Sequence, residues 1–354
     1  MKRLVIIGAG ASIDSSQSIM PSANNFFQKI RGNSELSHLL SQNNIQDMLR
    51  RHVSSPLDFT KHYKIIDKIN IEELFTLASL EAELDPTNKD LFHLTELIKT
   101  TIATLSGLSS KPGNYGEFVK DFIDGDTSVI TFNWDILLDE QLPNYCDPET
   151  TGGTTESLHW EYRKVCTAEV LNTWDGMGIP TPTENIVTNA TYLKLHGSVD
   201  LVSCKNSHCR TYMFPFRIKN PTAEYFCNSC YERVAPYLIP PIQNKPIRQF
   251  PHIRRSWMLA RQLVLQAEEV CIWGYSLPQT DHWSTWLIKN LWNERSNCKK
   301  LVIINPEAFR ILRNTNKELP NNTFRKNFLP NDASQTQDKI IEYYESYDLF
   351  KKMN

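Results

Sequence analysis

The chain has 354 residues, with 38 basic and 40 acidic side chains and a formal charge of −2. No global positive field draws it onto nucleic acid, so no direct sequence-specific nucleic-acid binding is expected. No apolar run approaches the ~20 residues that span a bilayer, so no membrane segment is expected, and Met1-Lys2-Arg3 leads into a short strand and then glycines rather than a secretory signal. The composition, 40% hydrophobic and 22% charged, suits one large α/β domain with an insertion, or two domains. Of the eight cysteines, four fall between Cys204 and Cys230. That clustering points to metal binding in a reducing cytoplasm over a disulfide framework.

Leu4-Val5-Ile6-Ile7 is a continuous apolar β-type run, followed directly by Gly8-Ala9-Gly10-Ala11-Ser12. A glycine turn between strand and helix lets backbone N–H groups approach a phosphate. A tight turn with no ligand is the alternative, and the nucleotide-phosphate loop is the preferred reading. The hydride-transfer fingerprint needs a third glycine where Ile13 stands, and an acidic residue about twenty positions on that is missing. From about Phe26 to Val119 the chain reads as helical. Ile71, Leu74, Phe75 and Ala78 recur at helical spacing, as do Leu91, Leu94, Ile98 and Ile102. These stripes are packing faces, and the layer they build is placed to cover a nucleotide cleft. Glu72, Glu73, Glu81, Glu83 and Asp85 are expected on a solvated face.

Thr127 to Thr131 (TSVIT) is a second buried strand. Past its end stand Phe132-Asn133-Trp134-Asp135, an amide and a carboxylate interleaved with aromatics, where open α/β sheets bind ligands. The plainer reading is an Asx-type cap on the helix Ile136 to Gln141. Asp147 to Thr155 is loop-like, with Gly152-Gly153, and the stretch up to Asn189 yields no assignment. Thr191 to Leu195 alternates as a strand and ends on His196-Gly197-Ser198. The histidine either faces a cleft or is a loop residue held by a backbone carbonyl.

Cys204-x4-Cys209, seventeen residues and Cys227-x2-Cys230 match a tetrahedral thiolate zinc ribbon. His208 could replace one member of the first pair, and four reduced cysteines without metal are the alternative. Four thiolates close the coordination shell, so the zinc would be structural. Cys146, Cys166, Cys271 and Cys298 show no such pairing. After Pro240-Pro241, Ile253 to Glu269 carries a helical stripe, and Arg248, His252, Arg254 and Arg255 form a basic cluster. Val270 to Trp273 is a strand ending at Gly274-Tyr275-Ser276, and Leu301 to Ile304 another, ending at Asn305-Pro306. Arg313 to Gln337 reads as a polar surface loop and Ile340 to Lys351 as a terminal amphipathic helix. Five strands thus end in glycine or polar residues, which together predict one cleft.

The ordered set GAGAS, TFNWD, KLHGS, a four-cysteine ribbon, GYSL and the late IN resembles the sirtuin superfamily over roughly Met1 to Pro306. The resemblance implies an α/β fold, a Rossmann-like parallel sheet with a helical insertion and a small four-cysteine zinc ribbon. The expected organisation is one domain over 1–354, with insertions at 24–120 and 199–240 and a C-terminal helix or tail over 331–354. It implies that Gly8, Ala9, Gly10 and Ser12 hold the NAD pyrophosphate, that Asn133 and Asp135 line the nicotinamide-ribose pocket, and that His196 is the general base. Gly274, Ser276 and Asn305 would contact the adenosine half, and Cys204, Cys209, Cys227 and Cys230 would bind zinc.

Departures narrow the resemblance. The family's deacylases carry Gly-Ile-Pro-Asp-Phe-Arg where this chain reads Ser18-Ile19-Met20-Pro21-Ser22-Ala23, and Phe132 stands in place of a glutamine. The chain is more similar to bacterial sirtuin-like NAD hydrolases of anti-phage defence, in which an asparagine and a histidine carry catalysis. That implies an NADase giving nicotinamide and ADP-ribose, controlled by homo-oligomerisation or by a partner such as a hexameric ATPase translocase. An NAD-dependent deacylase or ADP-ribosyltransferase, and a silent NAD or ADP-ribose sensor, are the alternatives.

Overall fold

The computed structural model describes residues 3–53, 63–109, 113–123, 126–146, 191–211, 215–218, 223–239, 251–278, 281–306 and 339–353. In chain order the strands are β1 (Arg3–Ile7), β2 (Thr127–Thr131), β3 (Tyr192–Lys194), β4 (Gly197–Ser203), β5 (Pro215–Arg217), β6 (Ala235–Leu238), β7 (Glu269–Trp273), β8 (Lys300–Ile304) and β9 (Ile340–Tyr344). Six of them form one sheet in the order β3-β2-β1-β7-β8-β9, every pairing parallel. This is the 3-2-1-4-5-6 arrangement of doubly wound α/β folds, with its switch point between β1 and β7.

The residue pattern explains the burial of both sheet faces. Val5, Ile7, Val129, Cys271, Trp273, Val302 and Ile304 join one apolar cluster, whereas Leu4, Ile6, Ile130, Val270, Ile272, Leu301 and Ile303 join another. Successive side chains point to opposite faces, so a run that is apolar at every position must be covered on both sides. The first face is covered by α2 (Phe26–Arg31), α3 (Asn43–His52), α5 (Ile71–Leu84), α6 (Asp90–Leu108), α7 (Gly113–Phe122) and α8 (Leu137–Cys146). A one-turn α4 (Tyr63–Ile66) precedes α5, and α1 (Ala9–Ser15) follows β1. The second face is covered by α9 (Pro251–Gln266) and α10 (His282–Lys289). Asn70 caps α5, its Oδ1 accepting from the backbone N–H groups of Glu72 and Glu73 at 2.8 and 3.2 Å. Among the described residues no helix is long and apolar enough to cross a membrane.

The register sets the site. Ile7 pairs with Thr131 and Trp273, Thr131 with Lys194, Trp273 with Ile304, and Ile304 with Tyr344. All six strands therefore end level, and the residues that follow them share one edge.

One expected element is corrected. Ile340 to Lys351 is not a single helix: Ile340–Tyr344 is the sixth, outermost strand, and only α11 (Tyr347–Met353) is helical. The run IIEYY is β-branched and aromatic, and pairing with β8 overrides the weak helical spacing. Strands β5-β4-β6 make a separate antiparallel sheet, and the four cysteines lie in the segments that connect its strands. The expected loops at 147–155 and 313–337, with Arg248 and Cys166, lie outside the described residues.

Candidate functional site

A cleft of about 650 Å³ opens along the shared carboxyl edge of the sheet, at the switch point. Its size lies in the ordinary range for small-molecule sites. Its walls include Ala9, Gly10, Ser12, Asn133, Asp135, His196, Gly274, Ser276 and Asn305. Nine of the ten cleft residues named from sequence thus meet in one cavity. Gly8 is not in the wall: a Cβ there would lie 2.6 Å from Tyr275 Cα, so its missing side chain makes room for the neighbouring turn. Gly274 has φ +66°, and a Cβ on it would meet Ala11 N at 2.0 Å. The two glycine turns are pressed together, with Gly10 N donating to Gly274 O at 2.8 Å.

Asn133 follows β2 and is buried. Its Nδ2 donates to Gly8 O at 3.0 Å and to Ser12 Oγ at 2.8 Å, and lies 3.4 Å from Tyr115 OH. A carbonyl only accepts, so the contact with Gly8 fixes which end of the amide is nitrogen. Both bonds use Nδ2, which leaves the amide oxygen for the cleft. Ser12 Oγ in turn donates to Asp135 Oδ2 at 2.7 Å, and Leu137 N donates to Asp135 Oδ1 at 3.1 Å. The second of these is the Asx-type turn into α8 that the sequence left open, so Asp135 shapes the helix start and also faces the cleft. Burial pushes its carboxyl above the usual range, against the pull of the Lys194 charge and the Ser12 bond. Burial, with the Asp135 charge, pushes the Tyr115 hydroxyl well above its ordinary value.

His196 follows β3. Its Nε2 lies 3.0 Å from Asp281 Oδ2, with both side chains buried. The approach is off the N–H axis, a loose alignment common in resting sites. Phe132 packs beside the imidazole, centroids 5.1 Å apart, and stacks on Tyr275 at 4.3 Å. Phe132 therefore forms the wall between the ring and the β7 turn. Trp134 Nε1 donates to His196 O at 3.1 Å, tying the two strand ends together. Gly197, at φ +75°, then turns the chain into β4.

Sequence reasoning missed four participants. Lys194 is fully buried in β3, with Nζ 2.8 Å from Asp139 Oδ2 and bonded to Asp135 O; a lysine inside an alternating strand was the available signal. Asp281 is the N-cap of α10, its Oδ1 accepting from Ser284 N at 3.1 Å. An aspartate just before an apolar helical run was legible as a cap but not as a partner of His196. Tyr115 gave no signal. Glu72 was expected on a solvated face, yet it lines the cleft beside Ile71, while Glu73, Glu81, Glu83 and Asp85 are exposed. The walls also include Ser18, Met20, Pro21, Ser22 and Ala23.

The four cysteines converge, their sulfurs all within 4.8 Å. Cys204 and Cys230 are 3.6 Å apart, and Cys209 and Cys227 3.7 Å. Zinc–sulfur bonds of about 2.3 Å in a tetrahedron require edges of roughly 3.8 Å, whereas a disulfide is about 2.05 Å. The set fits a thiolate metal centre. Backbone N–H groups of Thr211 and Ser229 donate to Cys209 and Cys227 sulfurs at 3.5 and 3.4 Å, as donors around such a centre do. His208 is exposed, so Cys209 completes the set.

Comparison with protein-family models gives no match, and comparison with curated proteins gives none either. Among solved structures, a Sir2 protein (Sir2Tm) bound to a propionylated peptide aligns at 14% identity and a TM-score of 0.41, covering 100% of this chain and 91% of that one. A Sir2 homolog–NAD complex aligns at 14% and 0.34, covering 86% and 78%. Sir2 bound to an acetylated peptide aligns at 13% and 0.37, covering 99% and 91%. Likenesses at this level assign neither a family nor a reaction.

Proposed function

We propose that the chain is an NAD glycohydrolase, cleaving the nicotinamide–ribose bond to give nicotinamide and ADP-ribose. The observation that carries this reading is that Asn133 and His196, from the ends of adjacent strands, line one cleft beside the glycine turn after β1. The sequence motifs that resemble sirtuin-like NAD hydrolases support the choice of substrate.

Nicotinamide leaves from a cationic pyridinium, so its departure needs little covalent help. As the C1′–N bond breaks, its electron pair neutralises the ring nitrogen, and positive charge develops on the ribose. The protein's task is positioning and electrostatics. Asn133, held through Nδ2, offers its amide oxygen to orient a water or a ribose hydroxyl. Water adds at C1′ and its proton passes to the His196 imidazole and then to solvent, a contribution of roughly 10²–10⁴-fold. Asp135 would hold the carboxamide end. Gly10, Ser12, Gly274, Ser276 and Asn305 would receive the pyrophosphate and adenosine. The four-thiolate zinc would only hold β4 to β6 in place, since a closed shell leaves no position for water.

An enzyme that depletes NAD in anti-phage defence must be restrained at rest. Oligomerisation or a separate ATPase translocase would supply that control. The test is incubation of purified protein with NAD, with and without an acylated peptide, following nicotinamide and ADP-ribose. Hydrolysis with water alone supports the reading. Turnover only with acylated peptide would make the chain a deacylase or transferase, and saturable binding without nicotinamide release would make it a sensor.

A further inference from the structure

We infer that Asp281 is the positioning carboxylate of His196, fixing the imidazole proton on Nε2 and leaving Nδ1 as the basic nitrogen. The inference deepens the hydrolase reading and rests on it for its consequence in turnover, while the state of the ring can be read without turnover.

Asp281 is wholly buried at the start of α10. A cap needs only one side-chain oxygen, and Asn or Ser would serve as well as Asp. Here Oδ1 makes the cap, while Oδ2 lies 3.0 Å from His196 Nε2 and 3.3 Å from Tyr275 OH. The second oxygen is what a carboxylate adds. The contact is off the N–H axis, so it is the carboxylate's charge that favours the proton on the nearer nitrogen; an ionised carboxylate is acceptor-only, and the other nitrogen of the neutral ring then holds the lone pair.

Further bonds hold the carboxylate. Ser284 Oγ donates to Asp281 O at 2.9 Å and receives Tyr275 OH at 2.5 Å, locking the α10 start to the turn after β7. Among the described residues, the titratable groups around the imidazole are Asp281 from α10 and Tyr275 from that turn. Asp135 beyond β2 and Glu72 on α5 face the same cleft. Phe132 and Trp257 pack on the ring at 5.1 and 6.3 Å between centroids, and neither carries charge. Asp281 is thus the negative group in direct contact, and it favours the imidazolium that forms as water gives up its proton. The arrangement parallels the carboxylate that holds a catalytic imidazole in hydrolase triads.

The experiment uses full-length protein labelled with ¹⁵N-histidine, the His196 signals being assigned by their loss in His196→Ala. Wild type should show Nε2 protonated and Nδ1 bare at neutral pH. In Asp281→Asn and Asp281→Ser, both of which keep a cap on α10, the ring's titration midpoint should fall by about one pH unit or more. With NAD, both variants should lose roughly 10²–10⁴-fold in kcat with little change in KM, and the acid limb of the pH profile should move to lower pH. Unchanged midpoints in folded Asp281→Asn and Asp281→Ser would overturn the inference. So would a wild-type ring protonated on Nδ1, which decides the matter even if neither variant folds. A wild type that never hydrolyses NAD would overturn the hydrolase reading instead, with the ring's titration still judging Asp281.

Discussion

Lys194→Met tests the buried framework beneath the site. The lysine side chain has no solvent exposure, and its partner Asp139 has 4%. Lys194 Nζ lies 2.8 Å from Asp139 Oδ2, which also accepts from Tyr192 OH at 3.0 Å. Methionine preserves length and apolar volume but removes the charge, so buried Asp139 loses its cationic partner. Breaking a buried pair from one side costs about 3–5 kcal/mol. An unfolding entropy of about 2.1 cal/mol/K per residue over 354 residues converts this to a Tm lower by roughly 4–7 °C. Differential scanning calorimetry at neutral pH measures it. The double variant Lys194→Met/Asp139→Leu removes the pair as a unit and should recover most of the loss, because apolar replacement of a buried pair is often neutral or stabilising. A single variant melting within about 1 °C of wild type, well short of the 3–5 kcal/mol expectation, would refute the account of how β3 is anchored.

The packing of the two glycine turns predicts that Gly274→Ala loses stability. The left-handed backbone alone costs about 1–2 kcal/mol, and a methyl 2.0 Å from Ala11 N must displace the turn. Calorimetric titration with NAD should show weakened binding, and unchanged Tm and affinity would contradict that packing. Metal analysis should find about one zinc per chain. Cys227→Ser should lower both zinc content and Tm, and a metal-free protein with an unaltered Tm would remove the zinc reading. Burial raises the Asp135 carboxyl above its unfolded value, so its contribution to stability is complete below the unfolded pKa and lost as pH rises through the folded one. Asn cannot ionise, and the Tm of Asp135→Asn minus that of wild type should therefore become more positive from about pH 4 to about pH 8. A flat difference would show that Asp135 does not carry this linkage.

Much of the scaffold was legible because it rests on local rules. The runs LVII, VCIW and LVII are apolar at every position, as strands buried on both faces can be, and the small hydroxyls of TSVIT flank its buried Val129 and Ile130. The polar residues after them pointed to a shared edge. The register then brought Gly10, Asn133, His196, Gly274 and Asn305 to one cleft. The cysteine spacing likewise carried the thiolate cluster. What sequence could not give was pairing across the chain. Nothing near Asp281 announces His196, since a cap signal is the same whether its second oxygen is used or not. Tyr115 joins Ser12 and Asn133 only because α7 packs beside α1. Glu72 sits among acidic residues, and only the docking of α5 separates it from the solvated ones. β9 was missed because an edge strand and an amphipathic helix can share spacing when Tyr347 and Phe350 follow so closely.

The central claim is that an amide and an imidazole act on one glycosidic carbon, and nicotinamide release from NAD measures it most directly. Under single-turnover conditions, Asn133→Ala and His196→Ala should each slow release by roughly 10²–10⁴-fold, and the double variant should be no slower than the worse single one. Wild-type release rates in both single variants would contradict the account.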